Sequence, residues 1–238
     1  MKVNRPWLKQ MMKFGLVLMA WVSMSANAGL FGFGGKSWKE EVLLHDGRKI
    51  IAGRSQNLGS RPTLESRERQ ILNETLTFSI PETNQKITWS MSFRDDVPEP
   101  NGINIVALDI VNNVPYIGGY PAGCIAYNKW KRPNPPQILF KYDGGQWRRV
   151  TMAEFPPQIR QANVIVGGPS AEGIKSSYTV EQVNEENRDI DTPEYKTILR
   201  EAIPGGGQGL CPELVYYKGA WVGPGDSIGK RMMDSKAK

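Results

Sequence analysis

From residue 38 onward, apolar and polar positions alternate in short runs separated by turn residues, and the pattern predicts β-hairpins. Residues 41–44 and 49–52 flank His45, Asp46, Gly47 and Arg48, and Asp-Gly between apolar runs favours a tight hairpin because both residues tolerate positive φ. Leu76, Phe78 and Ile80 alternate with Thr75, Thr77 and Ser79, and period two continues through 87–93 beyond a turn at 81–85. Residues 103–110 and 114–119 form a third pair around Asn112-Asn113, and 138–142 and 146–150 a fourth around Asp143, Gly144 and Gly145. These turns lie 29 to 38 residues apart, within reach of propeller blades, but the segments share no repeat. The expected fold is mainly β, with antiparallel hairpins forming a sandwich, barrel or propeller-like sheet.

Between the first two hairpins, residues 57–69 are polar, and with Arg54, Arg61, Arg67 and Arg69 close by they read as a solvated loop. Past Phe155-Pro156-Pro157 the texture changes. Residues 163–166 read as a strand, 180–188 as a helix, and a second helix is expected from Pro193 to about Ala202, with Thr192 as N-cap and proline at the first helical position. Residues 214–217 are a last strand turning at Lys218-Gly219, and the glycine-rich, then basic, tail from 223 reads as disordered. The plan is one β-rich domain over 38–222 with a helical insertion at about 178–203, a flexible leader at 29–37 and a tail at 223–238.

Charge shifts the picture at the N-terminus. The formal +6 suggests a polyanion partner until four of the 30 basic residues, Lys2, Arg5, Lys9 and Lys13, are set aside; the other 26 face 24 acidic residues, leaving +2. That balance gives no reason to expect nucleic acid. Those four residues precede the apolar run 14–22, and Ala26 and Ala28 fit an A-x-A cleavage site, so residues 1–28 read as a secretory signal peptide. No later stretch has the roughly 20 apolar residues of a membrane-spanning helix. Periplasmic or secreted residence is expected.

Export sets the reading of Cys124 and Cys211. An even pair in an oxidising compartment is most simply one disulfide, closing a loop worth on the order of 4 to 5 kcal/mol of chain entropy. The competing reading is a catalytic thiolate, which needs a base, and the sole histidine, His45, sits far off at a hairpin turn where it reads as solvated. One histidine and two bonded cysteines leave no Cys/His zinc site and no Ser-His-Asp triad, and no cofactor is expected. Phosphate-loop look-alikes at 35–37 and 167–176 lack the required spacing. The carboxylates Asp95, Asp96, Glu99 and Asp109 are the weak catalytic candidates, since glycan or peptidoglycan hydrolysis needs two carboxyl groups facing one bond.

The densest cluster of recognition-type side chains is 118–147, where aromatics, amides and cations surround Cys124 and a proline-rich bend at 133–136. Tyr120, Tyr127, Asn128, Trp130, Arg132 and Trp147 are its candidate binding residues, against the plainer alternative that the aromatics fill the core. Three segments, WKEEVLLHDGRKI at 38–50, CIAYNKWKRPNPP at 124–136 and YKTILRE at 195–201, resemble those of a family of uncharacterised exported proteins of Gram-negative bacteria. The resemblance implies export and carries no activity. The leading expectation is a non-enzymatic exported protein binding a partner protein or envelope glycan. Its rivals are a carboxylate-dependent hydrolase and a structural subunit of an envelope assembly.

Overall fold

The computed structural model describes residues 34–62, 69–170 and 173–236, so the expected signal segment lies outside the described residues. The chain is mainly β. Strands β1 (Gly35–Leu43), β2 (Lys49–Pro62), β3 (Arg69–Ser79) and β4 (Lys86–Ser92) form an antiparallel meander, and the short β9 (Ser177–Tyr178) adds to β1 in parallel, giving the order β4-β3-β2-β1-β9. Strands β5 (Ile103–Val111), β6 (Val114–Pro121), β7 (Ile138–Asp143) and β8 (Gln146–Val150) make a second antiparallel sheet in chain order. β10 (Val215–Tyr217) and β11 (Ala220–Val222) pair as a separate hairpin. Among the described residues the sheets remain open and form no closed barrel.

All four predicted hairpins form, although at the first only Gly47 of the Asp-Gly pair takes positive φ, at 85°. Asn112 and Asn113 take φ of 51° and 62°, and Gly144 and Gly145 take 58° and 86°, the left-handed pairs that match the twist of two-residue hairpins. One core is shared by the facing sides of the two main sheets: Val42, Ile50, Leu76, Phe78 and Ile87 from the first meet Ile103, Ile105, Leu108, Ile110 and Ile117 from the second. The second sheet is also covered on its other face, where Val106, Tyr116 and Leu139 pack against Phe155, Ile159 and Ile198. Burial on both sides explains why β5 reads INIVALDIV rather than as an alternating strand.

β5 achieves this with a bulge. Ile105 pairs with Gly119 and Ala107 with Gly118, so Val106 is an extra residue, and the core-facing positions change from 103 and 105 to 108 and 110. Gly119 is required here, because a Cβ would stand 2.3 Å from the Asn104 carbonyl oxygen.

Several expectations are corrected. β1 begins at Gly35, inside the expected leader, because Gly35 to Ser37 continue the ladder with 55–57 of β2. The loop expected at 57–69 is strand at both ends, over 57–62 and at Arg69. Arg54 is wholly buried: its Nε donates to Glu74 at 3.0 Å, its Nη1 donates to Glu40 at 3.2 Å and also to the Ile165 carbonyl, and its guanidinium lies over Trp38 at 4.9 Å. Burial works against that charge, yet the charges of Glu74 and Glu40 outweigh it and raise the arginine pKa further.

This buried network replaces the strand expected at 163–166. Those residues instead run as a loop bonded by side chains: the Ile165 N–H donates to Glu40 at 3.0 Å, and the Asn187 amide takes the Val166 N–H and donates to the Val164 carbonyl. Asn187 caps α2 (Val180–Glu186), whose Thr179 and Gln182 form a capping box. The second expected helix is a single turn, α3 (Pro193–Lys196), and Thr192 makes no side-chain cap. The chain leaves it because Thr197 bridges to Gln161 and Ile198 enters the core. The tail carries a helix, α4 (Ser227–Lys236), started by Asp226 Oδ1, which accepts the N–H groups of Ile228 and Gly229, and tied to the last hairpin by Tyr217 and Lys218 on Asp234.

Candidate functional site

The stretch 118–147 becomes a bracket. After β6 the chain turns at Gly123 into a short helix, α1 (Cys124–Lys129), which the sequence pattern did not indicate, and then into the proline bend. Across from it lies an irregular segment, 203–214, with no strand or helix of its own. Several of its backbone polar groups are satisfied by the bracket's side chains. Asn134 pairs with both backbone groups of Ile203, at 2.7 and 2.9 Å. Arg132 donates to the carbonyls of Cys211 and Pro212, and Asn128 donates to Pro212 and accepts the Leu214 N–H. Gln208, itself buried, returns a bond to the Pro121 carbonyl at 3.1 Å. Gly207 passes so close that a Cβ would meet the Pro133 carbonyl at 2.5 Å and the Tyr127 hydroxyl at 2.8 Å. Cys124 and Cys211 sit as a disulfide, with Cα atoms 5.1 Å apart.

Between bracket and segment opens a cleft of about 520 Å³, lined by Tyr120, Tyr195, Thr192, Gln208, Leu210 and the two cysteines among others. Tyr120 and Tyr195 stack, centroids 4.4 Å apart and 27° between planes, forming an aromatic wall. Burial pushes the Tyr120 phenol up to about 12 against the opposing hydrogen bond from Asn104, so it stays neutral at physiological pH. Leu210 is fully exposed on a segment pinned on both sides.

Of the six binding candidates only Tyr120 lines the cleft; Asn128 and Arg132 hold the segment that forms its other side, and Tyr127 lies beneath Arg132, whose guanidinium is 4.9 Å over its ring. The other two lie elsewhere. Trp130 is in the shared core, 6% exposed, its Nε1 donating to the Asn101 carbonyl. Trp147 packs on Tyr142 and donates to Thr88 at the edge strand β4.

The carboxylates are divided. Asp96 is exposed and paired with Arg94, and Asp95 lies 3.9 Å from the buried Lys129, whose ammonium burial pulls below the ordinary lysine range. Glu99 is on the same exposed loop. Asp109 is six residues into β5 from Ile103, roughly 20 Å along the strand. The structure does not bring Asp109 to the others within glycosidase spacing.

Asp109 has a different partner. Its Oδ1 is 2.7 Å from His45 Nδ1, and its Oδ2 accepts the His45 N–H at 3.0 Å. The sole histidine is thus not a free turn residue. The two are 64 positions apart, and a single signal pointed to the pair: a carboxylate within an otherwise apolar strand needs a buried partner. Comparisons with protein-family models, with curated proteins and with solved structures find no match.

Proposed function

We propose that the protein is an exported β-sandwich, periplasmic or secreted, that binds another envelope protein through the cleft beside the cysteine pair. Leu210 carries the reading. A lone exposed leucine is ordinary, but this one stands at an apolar, aromatic-walled cleft on a segment held by a disulfide and by the side chains of Asn128, Arg132, Asn134 and Gln208. Such pre-ordering lowers the entropy cost of binding, which an ornamental loop would not need. The sparse polar lining suits an apolar or aromatic side chain of a partner better than a glycan, which requires several hydrogen-bonding side chains at one face. Export is supported by the pattern of residues 1–28 and by a cysteine pair of the kind that persists in oxidising compartments.

The test is site-specific photo-crosslinking in envelope extracts, with the reactive amino acid at Leu210 and, as control, at the exposed Ile51 on the outer face of the first sheet. A discrete adduct from Leu210 alone, lost when Tyr195→Ala is added, is the expected result. The same adducts from both positions overturn it.

A further inference from the structure

A second cleft, of about 390 Å³, lies at the free edge of β5 and shares no residue with the first. His45 and Asp109 line it together with Gln158, Arg160, Gln161 and Asn184. We infer that His45 and Asp109 form a water-activating acid–base pair for the hydrolysis of acyl esters on polar carriers.

The geometry sets the roles. The Asp109 side chain is 4% exposed, and its oxygens accept the His45 N–H, the Ile110 N–H and the imidazole. A carboxylate surrounded by donors only accepts, so Nδ1 carries the ring proton and the lone pair of the neutral ring is on Nε2. Nε2 has no protein hydrogen-bond partner among the described residues, and the His45 side chain is 22% exposed at the cleft. Asp109 also fixes the main chain of His45, so ring and backbone are held by one group. This is the base-and-orienter half of the arrangement by which hydrolases activate an oxygen nucleophile.

The other half defines the reaction. Among the described residues no serine, threonine or cysteine lines the cleft, so the nucleophile is water. As the water oxygen bonds to the acyl carbon, His45 Nε2 takes its proton. The bond from the acyl carbon to the alcohol oxygen then breaks, and the imidazolium returns the proton to that oxygen, giving acid and alcohol. His45 is the catalytic residue and Asp109 the positioning residue. One general base contributes about 10²- to 10⁴-fold, which suits esters and falls short for amides or glycosides. The exposed amides of Gln158, Gln161 and Asn184, with Arg160 as a lining cation, match a hydroxylated carrier rather than an apolar one.

The test uses the untagged mature chain, so that His45 remains the only histidine, with peracetylated glucose as the probe and acetate release as the readout. Wild type is expected to saturate and to exceed the same concentration of imidazole by about 10²-fold or more. His45→Gln falls to the imidazole background. Asp109→Asn keeps KM, lowers kcat by about 10²-fold, and moves the ring proton from Nδ1 to Nε2 in ¹⁵N spectra of the single histidine. If Asp109→Asn does not fold, His45→Gln at the turn decides alone, with circular dichroism confirming its fold. Wild-type hydrolysis no faster than imidazole, or unchanged in His45→Gln, overturns the inference. An unmoved tautomer in folded Asp109→Asn removes the positioning role.

Discussion

The side-chain amide of Asn163 pairs with the backbone of Leu108 as a neighbouring strand would, accepting its N–H at 3.0 Å and donating to its carbonyl at 2.8 Å. The same amide reaches the Leu43 carbonyl at 2.9 Å, so one residue closes the free edge of β5 and ties it to the first sheet. Asn163→Ala leaves three backbone groups without these partners, and a loss of about 2–3 kcal/mol in urea unfolding is expected. The uncovered edge should also show concentration-dependent self-association by light scattering.

Arg54 stands between two buried carboxylates, and removing it strands both. Arg54→Met is expected to cost about 3–5 kcal/mol, read by guanidinium unfolding. Adding Glu40→Gln and Glu74→Gln to that variant should recover part of the loss, because the uncompensated charges go while hydrogen-bonding groups remain. A single variant as stable as wild type would show that the network holds nothing together.

The cysteine pair closes 87 positions of chain. Replacing both cysteines by serine is expected to cost about 2–5 kcal/mol. Hydrogen exchange should locate the loosening in 203–214, while the hairpins keep their protection until global unfolding.

Tyr120 predicts a basic-pH window. Its phenol titrates at about 12 in the folded chain and near 10 when unfolded. Above pH 10 the unfolded state loses the proton first, so stability falls as pH rises between 10 and 12, by up to about 2 kcal/mol from this group. Unfolding free energies measured at pH 9 and pH 11.5 should differ less in Tyr120→Phe by that amount.

What was legible in the sequence was local. Asp46-Gly47, Asn112-Asn113 and Gly144-Gly145 announce their hairpins because turn chemistry is written in adjacent residues. The cysteine pair followed from parity and compartment. Glu40, Arg54 and Glu74 look like surface charges because their meaning depends on strands 14 and 20 positions away and on a loop more than 100 positions on. The cleft was half legible: Tyr120, Asn128 and Arg132 stood out as a group, but the segment they hold, with Leu210, is glycine-rich and featureless until folded. His45 reads as a solvated turn residue from its neighbours alone, whereas its partner is fixed by the packing of one hairpin turn on another sheet's edge.

The extra residue at Val106 acts as a phase shift in β5. Upstream of it, odd-numbered positions face inward; downstream, even-numbered ones do, and this parity alone keeps Asp109 out of the oily interior and within reach of the imidazole. Were the same nine residues to pair in strict alternation with no bulge, the carboxylate would turn toward the sheet interface and Leu108 and Ile110 would turn outward. The chain's acid–base pair and its largest core are therefore set by the same one-residue count, and neither is free to change without the other.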